Sequence, residues 1–166
     1  MTTFLFVCVH NAGRSQLAAG LAAARAGSDV TVLSAGTEPD TAVSATVLAS
    51  LAEIGIDRSR EVPRLLTAGL AARADVLVAL KPGLDLPAHH RVELWPLPDP
   101  AAWDVDGIRP LRDHLDTLVA DLLGETSSSH VAPCRGRSGN SVPRQAAHRR
   151  QDASPGDQCA DTTKGP

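Results

Sequence analysis

The chain has 166 residues and a formal net charge of −3; 43% of its residues are hydrophobic, 21% charged and 2% aromatic. That length allows one domain with a buried core, and so small a net charge gives no strong pull toward nucleic acid or an anionic membrane. No stretch is long and apolar enough to span a bilayer, no basic leader precedes the first apolar run, and three cysteines suit a reducing compartment, so a cytoplasmic location is expected.

In chain order, the apolar run at residues 3–9 predicts a buried strand. Residues 15–26 predict a helix closed by Gly27, and residues 30–34 a second strand. Over residues 42–54, Val43, Val47, Leu48 and Leu51 recur at helical spacing and Gly55 stops the helix. Thr67 suits the cap of a short helix over residues 68–73. Residues 76–80 are a continuous apolar third strand, and residues 92–97 a fourth that ends near Pro96. A last helix is expected over residues 108–123, with Pro110 in its first turn and Asp113, Asp116 and Asp121 on its solvated face. This alternation predicts an α/β fold, a four-stranded parallel sheet with helices on both faces. Ligands in such folds sit at the carboxyl ends of the strands.

The character changes after Gly124. Residues 1–124 carry 10 Lys/Arg and 15 Asp/Glu, while residues 125–166 carry 6 and 4 and contain no Leu, Ile, Phe or Trp. Residues 1–124 are therefore expected to form the catalytic domain and residues 125–166 a disordered tail, too poor in apolar surface to offset its ordering entropy. Cys134 and Cys159 lie in that tail, where a resolving thiol on a long arm would have a low effective concentration. His130 and His148 lack metal-site spacing relative to them.

The chemistry concentrates in Cys8-Val9-His10-Asn11-Ala12-Gly13-Arg14-Ser15. A cysteine at a strand end, a short loop and an arginine at a helix start make an oxyanion trap: loop amides and the helix N-terminus direct positive partial charge at one spot. Arg14 adds two parallel donors for a tetrahedral oxyanion. The same field favours the thiolate of Cys8, a nucleophile facing the anion. Asn11 and Gly13 suit left-handed backbone angles. Ser15 suits a hydroxyl donor to the sulfur, a helix cap, or both. Val9, His10, Asn11, Ala12, Gly13 and Ser15 are accordingly the expected binding residues, with His10 adding positive field, contacting a second substrate or pointing to solvent. Asp99-Pro100, in a Pro-rich loop after the fourth strand, reads equally as a turn aspartate and as an acid at the strand ends. His89 and His90 read as surface residues.

Cys-x5-Arg-Ser directly after the first strand resembles the low-molecular-weight protein tyrosine phosphatase family. The wording from Phe6 to Gln16 followed by Ala18-Ala19-Gly20 resembles that family's arsenate reductase branch, as do Ser34-Ala35-Gly36-Thr37, Arg64-Leu65-Leu66-Thr67, Ala74-Asp75-Val76-Leu77-Val78 and Leu97-Pro98-Asp99-Pro100. The resemblance spans Met1 to about Gly124. It implies Cys8 as nucleophile, Arg14 as oxyanion holder and Asp99 as the acid that protonates the departing oxygen.

Two absences refine it. In the phosphatase branch aromatic residues follow the Asp-Pro pair and wall the aryl phosphate; here Ala101 and Ala102 follow it, Thr37-Glu38-Pro39-Asp40 also lacks an aromatic, and the chain has no Tyr. A bare trap suits a small inorganic oxyanion such as arsenate. Thioredoxin-coupled reductases carry two further cysteines after the third strand, where this chain has Pro82 and Leu86. The resemblance then implies an external low-molecular-weight thiol, plausibly mycothiol, with a redoxin completing the reduction. No cofactor is expected to be bound. Ala19 stands where some members place an acidic residue near a potassium ion, so no metal is expected either. The expected function is arsenate reductase of the arsenate–mycothiol transferase type. The alternatives are a phosphatase acting on phosphoproteins or a small phosphoester, using the same residues, and a non-catalytic anion-binding protein.

Overall fold

The computed structural model describes residues 1–128; the expected tail lies outside the described residues from 129 onward, with Cys134, Cys159, His130 and His148. The elements run β1 (Thr2–Cys8), α1 (Arg14–Arg25), β2 (Val30–Gly36), α2 (Ala45–Ala52), α3 (Ala68–Ala71), β3 (Val76–Ala79), β4 (Val92–Leu94) and α4 (Val105–Ser128). The four strands form one parallel sheet in the order β2-β1-β3-β4. The chain therefore leaves β1 toward one side and adds β3 on the other, and the carboxyl end of β1 is the switch point where such sheets open a crevice.

Side-chain alternation along β1 divides the core. Phe4 and Phe6 join Val76 and Val78 against Leu17 and Leu21 of α1, Val47 and Leu51 of α2, and Ile108, Leu115 and Val119 of α4. Leu5 and Val7 join Leu77 and Ala79 on the opposite face, which the short α3 and its flanking loops cover through Ala71, Ala74, Leu66 and Leu70. Helices thus flank both faces, unevenly. Trp95 is half-buried at the rim of the first core, its ring centroid 5.9 Å from that of Phe6.

Several boundaries depart from the sequence expectation for local reasons. Helix α2 begins at Ala45, so residues 42–44 remain in the loop. Gly55 ends the helical segment in the left-handed region, φ +81°. Thr67 caps α3 as expected, its hydroxyl accepting from Leu70 N–H at 3.1 Å. Strand β4 stops at Leu94. Helix α4 starts at Val105 because Asp104 caps it, its Oδ1 accepting from Gly107 N–H at 2.7 Å. Pro110 consequently lies inside the helix instead of in its first turn. The helix also runs through Gly124 to Ser128, so the expected domain boundary falls within it.

Charged pairs lock the helices together. Arg25 on α1 donates to Asp116 on α4 at 2.7 Å, so Asp116 is a tie rather than a solvated carboxylate. Arg109 and Arg112 of α4 hold Glu53 after α2, with Arg109 Nε 2.9 Å and Arg112 Nη1 3.0 Å from its Oε2. His89 is half-buried; its ring nitrogens lie 2.7 Å from the Arg91 carbonyl and 2.9 Å from that of Ala74, joining the lead into β4 to the turn before β3.

Candidate active site

The segment from Cys8 to Ser15 folds as a loop wrapped around a cysteine. Its carbonyls face outward: those of Cys8, Val9, His10 and Ala12 accept from the N–H groups of Thr37, Glu38, Asp40 and Ser44 at 2.8–3.2 Å. With its acceptors bound to the β2–α2 loop, the segment leaves its amides to the interior, as an anion-binding nest requires. The first helical bond of α1 is Leu17 N–H to Gly13 O, and no side chain caps the helix. The first-turn amides of Arg14, Ser15 and Gln16 therefore have no intrahelical acceptor. An uncapped helix start beside inward amides is suited to a tetrahedral oxyanion.

Close packing enforces this geometry. A Cβ on Gly36 would overlap the Val9 carbonyl oxygen and come within 2.9 Å of Asn11 N, so only glycine lets β2 pass the loop. Asn11 takes the left-handed conformation, φ +50°. Gly13 does not: its φ is −113°, and it instead lies against Pro100 of the Asp-Pro loop.

The buried polar network around Cys8 has one consistent direction. Arg64 N–H, a donor only, bonds Asn11 Oδ1 at 2.8 Å, which fixes the amide. Asn11 Nδ2 then donates to Ser15 Oγ at 2.7 Å. Ser15 Oγ, accepting from Asn11, lies 2.9 Å from Cys8 Sγ, where its hydrogen is available to a thiolate. The Asn11 amide adds a second donor to the sulfur at 3.2 Å. Ser15 lies within the first turn of α1 and is not its cap; a thiolate at Cys8 would take this hydroxyl hydrogen and the Asn11 amide as its two donors. On the far side Arg58, also a donor only, bonds Gln16 Oε1 at 3.0 Å, turning Gln16 Nε2 toward Asn11 Oδ1 at 3.4 Å. Burial lowers the Arg58 pKa from its ordinary value, and Glu61 opposes that shift.

Arg14 is 5% exposed, and its Nη1 donates to the Leu97 carbonyl at 3.1 Å. Asp99, whose side chain is 57% exposed, stands 3.7 Å from Arg14 Nη2. The strand-end loop and the anion loop are thereby brought together across 83 residues of sequence. Between them and the β2–α2 loop is a cleft of about 170 Å³, lined by His10, Ala12, Gly13, Asp40, Ala42, Ser44, Val47, Asp99, Pro100 and Ala101. His10 is exposed at its edge, with Nδ1 3.2 Å from the Glu38 carbonyl. No Phe, Tyr or Trp lines the cleft; Trp103 packs on the core instead. Among the described residues Cys8 is the one cysteine, and it is buried. Pro82 is exposed, and Leu86 belongs to a different hollow with Thr37 and Leu66. Ala19 is buried within α1 and has no side-chain donor atom for a cation.

The sequence profile of the family described as low molecular weight phosphotyrosine protein phosphatase matches residues 3–131. The chain belongs to this family. Within it, a putative arsenate reductase of Halobacterium salinarum is 32% identical over 131 residues, covering 75% of this chain and 92% of that protein. A glutaredoxin arsenate reductase of Synechocystis is 30% identical, covering 76% of this chain and all of its own length. The solved structure of an arsenate reductase in the phosphate binding state superposes with a TM-score of 0.67 at 29% identity, over 75% of this chain and 98% of that one. No helix among the described residues of this phosphatase-family chain is long and apolar enough to cross a membrane.

Gly36, Asp40, Ser44, Gln16, Arg58 and the Arg64 backbone complete the site but were not assigned roles from sequence. Gly36 sits within one of the quoted resemblance motifs, so a local signal existed. Arg58 and Gln16 are 42 residues apart and Arg64 and Asn11 are 53 apart, with no periodic pattern linking them.

Proposed function

We propose that this chain is a thiol-dependent arsenate reductase of the transferase type. One observation carries the reading: the cleft between the Cys8–Ser15 loop and the Asp-Pro loop has no aromatic wall, which suits a small inorganic oxyanion better than an aryl phosphate. Cys8 thiolate attacks arsenate held by Arg14 and by the amides of Val9, His10, Asn11, Ala12, Gly13, Arg14 and Ser15, forming a sulfur–arsenic bond as one oxygen leaves with a proton from Asp99. An external thiolate then attacks arsenic, and Cys8 departs as a thiolate while arsenic stays pentavalent. A redoxin thiolate attacks the sulfur of that adduct. The resulting disulfide carries the oxidation, and arsenic leaves as arsenite with two more electrons. The relatives' names support a redoxin at this last step. With Pro82 and Leu86 where relay cysteines would stand, a small thiol such as mycothiol is the proposed acceptor, in the cytoplasm and with no resident cofactor or metal.

A second reading, a phosphatase on phosphoproteins or a small phosphoester with water as acceptor, is favoured by the missing relay cysteines alone. One experiment separates the two. Arsenite is measured from arsenate with mycothiol plus its redoxin, glutathione plus glutaredoxin, or thioredoxin, beside hydrolysis of an aryl phosphate, with Cys8→Ser as blank. Arsenite in a small-thiol arm supports the transferase. Hydrolysis of the phosphate with no arsenite in any arm makes the chain a phosphatase.

A further inference from the structure

Arg58 occupies a place where packing alone would favour an apolar side chain. That side chain is 13% exposed, and its stem packs on α1 at Gly20, where an added Cβ would come within 3.5 Å of Arg58 Cγ. Arg58 Nε is buried with no hydrogen-bond partner, which costs stability. A methionine would fill similar space without that cost. Its charged neighbours are Glu61, whose Oε2 is 3.5 Å from Arg58 Nη2, and Arg64, which adds like charge. What an apolar residue could not supply is the bond from Arg58 Nη2 to Gln16 Oε1 at 3.0 Å. Gln16, Asn11 and Ser15 are all fully buried. The two ends of a glutamine amide are nearly equal in size, so its partners decide which way it faces. Arg58 is a donor only and requires the carbonyl end, which turns Gln16 Nε2 to Asn11 Oδ1 at 3.4 Å. The reverse orientation would set donor against donor at Arg58 and acceptor against acceptor at Asn11. Asn11 Oδ1 thus meets donors from two sides, Gln16 and the Arg64 N–H. Its Nδ2 is left for Ser15 Oγ, 2.7 Å away, which in turn lies 2.9 Å from Cys8 Sγ.

We propose that Arg58 is a positioning residue for Cys8: acting through Gln16, it holds Asn11 in the orientation that leaves the Ser15 hydrogen available to a Cys8 thiolate. The proposal rests on the reading of Cys8 as a thiolate nucleophile. Without the Arg58 donor, nothing at the outer end of Gln16 favours its carbonyl there. Once the amide reverses, its carbonyl faces Asn11 Oδ1 and draws Asn11 Nδ2 away from Ser15. The Arg64 N–H opposes that turn of Asn11, so the loss at the sulfur is partial.

The test compares the full chain with its Arg58→Met variant. Alkylation of Cys8 by iodoacetamide is followed by peptide mapping at about pH 6 and about pH 9, and because the thiolate is the reacting form, the ratio of the two rates reports how far the site favours it, independent of access to the sulfur. Arg58→Met is expected to lower that ratio about three- to tenfold, part of the worth of one hydrogen bond to a charged group. Gln16→Met should lower it by at least as much, and adding Arg58→Met to Gln16→Met should lower it no further. A merely structural role would instead shift urea midpoints and leave the ratio alone. An unchanged ratio in Arg58→Met, or an equal further fall in the Gln16→Met background, would overturn the proposal. The parent gives a second reading that needs no variant to fold: proton NMR should place the Gln16 side-chain amide protons beside Asn11 and not beside the Arg58 guanidinium, and the reverse pattern would also overturn it. A parent in which Cys8 shows the same ratio as Cys134 and Cys159 would remove the nucleophile reading and this proposal with it.

Discussion

Replacing Ser15 with alanine tests the direction of the network around Cys8. Ser15 Oγ accepts from Asn11 Nδ2 at 2.7 Å and lies 2.9 Å from Cys8 Sγ, which leaves its single hydrogen available to a thiolate there. A hydrogen bond to a charged group contributes about 1.5–3 kcal/mol. Since about 1.36 kcal/mol is a factor of ten in rate, its loss corresponds to roughly 10- to 150-fold. The remaining donor to the sulfur, the Asn11 amide at 3.2 Å, is backbone and survives the change. Ser15→Ala also leaves buried Asn11 Nδ2 without its acceptor, which costs about 1–3 kcal/mol of stability. The assay pairs steady-state turnover of arsenate with the rate of Cys8 alkylation by iodoacetamide at pH 7, and urea unfolding follows stability separately. Both rates are expected to fall while the protein stays folded. Adding Asn11→Ala should cost less activity than the two single losses combined, because both changes interrupt one chain of donors. Turnover and alkylation in Ser15→Ala within twofold of the parent would show that the hydroxyl does not serve the sulfur, and the assigned direction would be wrong.

Other consequences are as direct. Arg14→Lys replaces a planar fork by a point charge and loses the bond to the Leu97 carbonyl; kcat/KM for arsenate should fall about 100- to 1,000-fold, and unchanged kinetics would contradict the oxyanion role. Gly36→Ala forces a Cβ into the Val9 carbonyl and toward Asn11. It should lower the unfolding midpoint and abolish phosphate binding seen by calorimetry, and a variant that binds phosphate normally would refute the close-packing account. Glu53 is held down to about 2, first by its hydrogen bond from Arg109 and further by Arg112. A carboxylate depressed in the folded state stabilises above its unfolded pKa, and that stability disappears as pH falls toward the folded value. Urea midpoints should therefore separate the parent from Glu53→Gln at pH 6 and converge between about pH 4.5 and 2. A gap that persists at pH 2 would place the effect elsewhere.

The candidate site of Cys8, Arg14 and the helix start is legible in the sequence because it occupies eight consecutive residues. Their chemistry is set by local spacing: apolar strand, turn-forming loop, helix. The same holds for β1 and β3, whose apolar runs need no partner to be recognised. Fine detail was less accessible. Asn11 and Gly13 both suit a positive φ by residue type, yet the loop places that angle at Asn11 and not at Gly13. The start of α4 was set by the Asp104 side chain, a cap obscured by Gly107 and Pro110 just downstream.

Identity and order of residues were enough to specify a parallel α/β chain with a cysteine-centred anion loop at the end of its first strand, since hydrophobic period and turn chemistry act over a few neighbours. They could not specify which donors reach that cysteine. The orientation of Asn11 is imposed by the Arg64 backbone, the tilt of Gln16 by Arg58, and the place of Asp99 by Arg14 and Leu97. Each of those contacts joins groups distant in sequence, so it exists only once the fold brings the segments after β1, α2 and β4 together.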